Sequence, residues 1–245
     1  MFLSNLLQLL YPNYLHLVLQ ISQKSNEIYF EPLSADGLDE FHSYSTDERL
    51  YEFLEFNPFL DISETETYLN KLISRMSGDA NSRTCSYWFI RRYSDDVLIG
   101  TAGLVDLDYV RKSVQLGFGI DPKFWGMGYI LRIQEDLKKF VFEAMELNRL
   151  YGCTMLQNHR TIQSLLASGF THEGTARDYY CKNGEYIDGW QYAMIRSDYL
   201  SERTVTKQEE LVIFTDDIIR TIAIVLADEI ITDASSMENT ISWDS

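Results

Sequence analysis

Two glycines, Gly126 and Gly128, stand between a short apolar run and a helical one, and that order can hold a phosphate. The stretch reads Phe124-Trp125-Gly126-Met127-Gly128-Tyr129-Ile130. Before it, Val114 to Ile120 has strand character, and Asp121 and Pro122 end that strand because proline has no N–H for a ladder. After it, Ile130, Ile133, Leu137, Phe140, Val141, Ala144 and Met145 recur at the spacing of one helix face. The pattern predicts a helix to Glu146. A helix that opens on a glycine turn leaves several N–H groups without carbonyl partners, and its dipole adds partial positive charge there. Such a terminus suits a phosphate or pyrophosphate. Taken alone, two spaced glycines before a helix are more often a plain tight turn.

The elements that must position this turn follow from periodicity. Ile28 to Leu33 reads as a first strand, with Ser34 a helix cap for a partly helical Ala35 to Glu52. Tyr51, Phe53, Phe56, Phe59 and Leu60 cluster around Pro58. They read as core, with one or two free to line a pocket. A helix from Asp61 ends near Met76. Ser86 to Arg92, Val97 to Asp106 and Val114 to Ile120 make an antiparallel meander, with Asp95 and Asp96 as its first turn. Past the long helix come a strand from Arg149 to Leu156 and a helix from Asn158 to Ser168, capped by Asn158 or Thr161 and ended by Gly169. Phe170 to Tyr180 and Glu185 to Ile195 form a hairpin whose signal is Asn183-Gly184. The strands beginning at Val114 and Arg149 should run parallel, since a helix crosses between them. No internal repeat is evident.

Composition narrows the chemistry. The 245 residues are 45% apolar, enough for one substantial domain plus an appendage. Cys85, Cys153 and Cys181 lie far apart with no CxxC, and the four histidines show no ligand spacing. This predicts no metal and no disulfide framework, and fits a reducing cytoplasm. A net charge of −16 argues against nucleic acid as a partner.

With these residues on the page, the chain resembles the GCN5-related N-acetyltransferases (the GNAT family). Their pyrophosphate loop is Gln/Arg-x-x-Gly-x-Gly/Ala, and the ribosomal-protein and amino-sugar branch carries Tyr/Phe-Trp-Gly-x-Gly-Tyr-Ala. Trp125 stands where the general motif has Gln or Arg, and Ile130 where a small residue is usual. Asn158-His159-Arg160-Thr161, ending in Gly169-Phe170, is similar to the family's Asn-x-x-Ser helix. Glu173 to Tyr180, with Asn183-Gly184 and Tyr186-Ile187-Asp188, is similar to its terminal hairpin. The resemblance spans Ile28 to Leu200. It implies an α/β (α+β) fold with a mixed, mostly antiparallel sheet and helices on both faces. It also implies acetyl-CoA as donor and an amine acceptor: an amino sugar, an amino acid or an N-terminal peptide. Trp125, Gly126, Met127, Gly128, Tyr129 and Ile130 would then bind the cofactor. Asn158 would contact it near the thioester, and the Thr161 hydroxyl would lie near the sulfur. Tyr179, Tyr180 and Asp188 would touch the acceptor. Many relatives carry a base, Glu, where this chain has Gln115, and an amide takes no proton. Asp106, Asp108, Glu173 and Asp188 remain as candidates. The alternative is a CoA-binding module impaired in catalysis. A homodimer is compatible with either.

The two ends read differently. Met1 to Gln23 is leucine-rich but broken by Pro12, Asn13 and His16. Its apolar runs fall short of the roughly 20 residues a membrane span needs. It reads as an apolar helical extension over 1–26, before a transferase domain at 27–200 and a linker at 201–208. Glu209 to Ser245 holds nine acidic residues and one basic. Its apolar spacing to Ala227 predicts an amphipathic helix, and the run to Trp243-Asp244-Ser245 resembles the opening of an acyl carrier protein. Ser245 would be its phosphopantetheine site only in a longer form, with a carrier as partner. The other reading is an acidic, loosely docked tail.

Overall fold

The structure, a computed structural model, describes residues 28–76 and 85–203. The expected N-terminal extension, most of the linker, and the acidic tail with Ser245 lie outside the described residues. Seven strands form one sheet in the order β1-β2-β3-β4-β5-β7-β6. They are β1 Ile28–Pro32, β2 Ser86–Arg92, β3 Leu98–Asp108, β4 Ser113–Ile120, β5 Arg149–Met155, β6 Thr171–Lys182 and β7 Glu185–Ile195. All neighbours pair antiparallel except β4 and β5. Among the described residues the helices that flank the sheet include α1 Leu38–Ser45, α2 Ile62–Met76, α3 Tyr129–Lys139 and α4 His159–Ala167, and a further helical stretch follows β7 from residue 196. The expected mixed, mostly antiparallel sheet with helices on both faces is what the chain forms.

Alternation along the strands sorts the core into two layers. On β2, Trp88 and Ile90 belong to one buried cluster, while Phe89 between them belongs to the other. The first cluster packs Val114, Leu116 and Leu150 against Ile133, Leu137 and Leu165 of α3 and α4. The second packs Phe89 and Leu98 against Phe41 of α1 and Leu69 and Leu72 of α2. Leu137 is fully buried, so truncating it to Ala should remove about 2–5 kcal/mol.

Three local features position the site. The parallel ladder joins only Ser113 to Arg149, Val114 to Leu150 and Gln115 to Tyr151. Beyond it β4 runs on to Ile120 while β5 follows β7, so the two strands part. β3 reaches past the expected Asp106 to Asp108, through a register shift between Val105 and Asp108. Asp106 there has φ 52°, a conformation few non-glycine residues adopt. The crossover helix is α-helical to Lys139 and then widens to π turns over Phe140–Ala144. Met145 N–H donates to the Phe140 carbonyl at 3.0 Å, one residue further back than an α-turn. The wider turn accommodates three successive buried side chains, Phe140, Val141 and Phe142, which a 3.6-residue period does not foresee. The Asn183-Gly184 turn has both φ angles positive, 53° and 83°, as a two-residue I′ hairpin requires.

Candidate active site

Where β4 and β5 part, a cavity of about 520 Å³ opens between the loop after β4, the first turn of α4 and residues 49–54. The loop builds one wall. Pro122–Phe124 makes a short 3-10 turn capped by the Asp121 carboxylate, which accepts from Lys123 N–H at 3.0 Å. Gly126 and Gly128 then take φ 77° and 84°. The left-handed geometry at both suits glycine, since a Cβ there costs about 1–2 kcal/mol. Gly128 caps α3, and its carbonyl accepts from Leu131 and Arg132 N–H at 3.2 and 3.4 Å. The N–H groups of Met127, Gly128, Tyr129 and Ile130 have no acceptor among the described residues. Beyond its own chain neighbours, no atom lies within 4 Å of where a Cβ would stand on Gly126 or Gly128. Bare donors, open space and a helix N-terminus thus coincide, and they fit a pyrophosphate.

The facing wall is α4. Asn158 caps it, accepting from Thr161 N–H at 3.2 Å. Both line the cavity with Trp125, Gly126, Gly128, Tyr129 and Ile130. Of the residues expected to meet a cofactor, Met127 differs: its side chain is exposed and off the cavity wall, leaving only its N–H to serve. Ile130 packs half-buried against the core cluster. Trp125 donates from Nε1 to the Ile120 carbonyl at 2.8 Å, and Arg160 stacks on its ring at 3.9 Å. Arg49, Arg160, Leu50 and Leu54 line the cavity unforeseen, with Phe53 from the aromatic cluster. Arg160 alone had a sequence signal, its place in the first turn of the helix Asn158 caps. Tyr51, Phe56 and Phe59 instead pack on each other.

Tyr179, Tyr180 and Asp188 lie outside that cavity, on the terminal hairpin. Tyr179 and Tyr180 stand by Cys153 of β5: a Cβ on Gly189 would meet the Cys153 sulfur at 2.5 Å, the Tyr180 ring at 3.1 Å and Tyr179 Cβ at 3.3 Å. Burial first, then the neighbouring thiol, raise both phenols. Glu55 joins this group through Cys181, whose N–H donates to Glu55 Oε1 at 2.8 Å. Lys182 Nζ donates to the Tyr51 and Glu52 carbonyls at 2.5 and 2.9 Å. These bonds tie the hairpin to the segment that walls the cavity.

The four carboxylates separate cleanly. Glu173 is held bidentate by Arg149, and that contact lowers its carboxyl. Asp108 Oδ1 accepts from Val110 and Arg111 N–H at 2.9 and 2.8 Å. Asp188 Oδ1 accepts from Asp178 N–H at 2.9 Å. The Asp106 carboxylate has no hydrogen bond or ion pair with the other described residues, and the residue is exposed. Its charge adds to burial in raising Tyr87, to about 12, and also Tyr151 and Tyr179. Those tyrosines come from β2, β5 and β6. Gln115 pairs with Val105 on one side and Tyr151 on the other, so it shares their face at the last rung before the strands part. No group of three or more metal-ligating side chains occurs among the described residues, and no described helix is long and apolar enough to cross a membrane.

Parted parallel strands, a glycine loop at a helix N-terminus and an asparagine-capped second helix define an acyltransferase fold. The chain belongs to the GNAT acetyltransferases: residues 27–171 match the Acetyltransferase (GNAT) domain. It is 29% identical over 178 residues to YdaF, a candidate ribosomal N-acetyltransferase of Bacillus subtilis, covering 71% of this chain and 92% of that one. It is 21% identical over 177 residues to a spermidine N(1)-acetyltransferase of Vibrio cholerae, covering 72% and 98%. A crystal structure of spermidine N-acetyltransferase from Vibrio cholerae with CoA and spermine superposes with a TM-score of 0.61 at 20% identity, over 71% of this chain and 98% of that one. The relatives and the fold make this chain an N-acetyltransferase.

Proposed function

We propose that the chain transfers acetyl from acetyl-CoA to a cationic primary amine by direct attack on the thioester. The observation that carries this reading is the cavity where β4 and β5 part, edged by the unpaired N–H groups of the glycine loop. The N–H groups of Met127, Gly128, Tyr129 and Ile130 hold the pyrophosphate, with Gly126 leaving room for it. Asn158 orients the pantetheine end, and the Thr161 hydroxyl stands ready to give the sulfur a proton. An ammonium drawn in among Tyr87, Tyr151 and Tyr179 becomes easier to deprotonate as it loses water. Asp106, the carboxylate of the four with no partner of its own among the described residues, takes that proton. The amine nitrogen then bonds to the acetyl carbon and the C–S bond breaks. The nitrogen's second surplus proton ends on the sulfur, and Asp106 returns the first to solvent.

Asp106, Asp108 and Glu55 all act on the tyrosines of this face, opposed by Arg75 at Tyr87 and by Arg149 at Tyr151, the latter already paired with Glu173. Three carboxylates favour an acceptor with a second positive charge, such as a polyamine, over a neutral amino sugar. The spermidine acetyltransferases among the relatives support that class. The test is thiol release from acetyl-CoA with spermidine, amino sugars and N-terminal peptides, beside thermal shift with acetyl-CoA alone. Thermal stabilisation with no turnover on any amine would favour the second reading, a CoA-binding module, which Gln115 and Ile130 recommend.

A further inference from the structure

The cavity draws its fixed positive charge from Arg49 and Arg160, and no carboxylate lines it among the described residues. The two arginines are held differently. Arg49 is gripped by Asp47 through Nε at 2.9 Å and Nη2 at 2.6 Å, and stands 6.0 Å from the Trp125 ring. Arg160 lies on that ring at 3.9 Å and reaches Glu52 only at 3.5 Å, with both side chains more than half exposed. A long, exposed ion pair contributes little and exchanges readily. Stacking holds the guanidinium plane while leaving its in-plane N–H groups free to bind a phosphate in a fork. The platform is rigid, because Trp125 is pinned at its own Nε1, and Gly126 follows it directly.

We propose that Arg160, positioned on Trp125, is the side-chain cation for the donor's pyrophosphate, and that Glu52 competes for it while the site is empty. This rests on the acetyl-CoA reading above. The glycine loop supplies neutral donors, and Arg160 supplies the formal charge they lack. Trp125 is then a positioning residue, which fixes where the charge stands without itself meeting the phosphate. Glu52 is an internal competitor on the cavity-wall segment that Lys182 ties to the hairpin. Donor binding releases it.

Calorimetric titration with CoA and with dephospho-CoA, which lacks the 3′-phosphate, tests this. Arg160→Ala should weaken both by about tenfold, the scale of a lost charge-assisted contact. Glu52→Gln should tighten both by about two- to threefold, in line with an exposed pair. Trp125→Leu should weaken binding in the wild type and add little in the Arg160→Ala background. Arg160→Lys should restore part of the loss. Unchanged affinity in Arg160→Ala would overturn the inference, as would unchanged or weaker binding in Glu52→Gln. A loss confined to CoA, with dephospho-CoA unaffected, would also overturn it, because Arg160 would then read the 3′-phosphate. If the wild type binds neither compound, the acetyl-CoA reading itself falls.

Discussion

The donor side and the acceptor side that we propose for this site are built from different parts of the polypeptide. On the donor side the groups proposed to bind are main-chain N–H groups at 127–130 and two residues of one helix turn, Asn158 and Arg160, while Thr161 beside them is proposed to serve the bond-breaking step. Each comes from a single continuous stretch. On the acceptor side the groups are side chains from β2, β3, β5, β6 and the segment before α2: Tyr87, Asp106, Tyr151, Tyr179 and Glu55. The backbone suits a task that does not vary, since N–H donors need only the right φ and an open approach. Side chains on separate strands can change one at a time, so they suit a task that varies with the acceptor. Damage to the first side should therefore act on donor binding, and damage to the second on turnover.

Gly128→Val should have the largest effect. At φ 84° a β-branched residue is strained, and its Cβ would fill space that is open in this structure. The strain of about 1–2 kcal/mol lowers stability, and the loss of two contacts to a charged group, about 1.5–3 kcal/mol each, predicts a hundredfold or greater loss of acetyl-CoA affinity. Calorimetry checks it, with near-UV circular dichroism as the folding control. Wild-type affinity would move the donor site away from the loop.

On the acceptor side, Asp106→Asn should lower kcat about a hundredfold, the low end of what a general base contributes. Acetyl-CoA affinity should stay within about twofold. Gln115→Glu in the same background should recover part of the rate, because Gln115 shares a rung with Val105 and Tyr151 on the same face. An undiminished kcat in Asp106→Asn would show that the amine sheds its proton without a carboxylate.

This division also explains what could be read from the sequence. The meander, the crossover helix, Asn158 as a cap and the Asn183-Gly184 hairpin are local patterns, and each stands where periodicity or turn chemistry put it. The glycine loop was legible because strand, turn and helix are adjacent in the chain. Asp106 could be named only as one of four carboxylates. What separates it is the bulge on β3 and the contacts that occupy Asp108, Glu173 and Asp188, and these belong to tertiary structure. Arg49 carried no signal, since a lone arginine says nothing until a ring lies beneath it. The π turns at 140–144 leave no mark in the sequence, because an apolar run with a 3.6 period is continuous with them.

Thr161→Val keeps the shape and removes the hydroxyl. Thr161 N–H still donates to Asn158, so the cap and the donor-side wall should survive. Turnover should fall about tenfold and acetyl-CoA affinity hold. The effect is smaller than at Asp106 because a thiolate, with an ordinary pKa near 8.5, leaves tolerably without help. Pre-steady-state thiol release separates this from slow product departure, and an unchanged rate removes Thr161 from the mechanism.

The smallest effect should come from Glu173, and it sharpens the contrast with Asp106. Glu173 is clamped by Arg149, and that contact holds its carboxyl below the usual range. A group with a depressed folded pKa contributes stability above its unfolded value, near 4.3, and loses it as pH falls through the folded one. Both side chains of the pair are about a third exposed, so solvent limits the contribution to at most about 1 kcal/mol. Glu173→Gln should therefore lower Tm by about 1–3 °C at pH 7, with the difference from wild type closing as pH drops below about 4. Its kcat at pH 7 should match wild type, because a carboxylate locked in a guanidinium fork is a poor base. Thermal melts across that pH range, paired with the thiol-release assay, read both quantities. A kcat loss like that of Asp106→Asn, with no change in Tm, would transfer the proton-accepting role to Glu173.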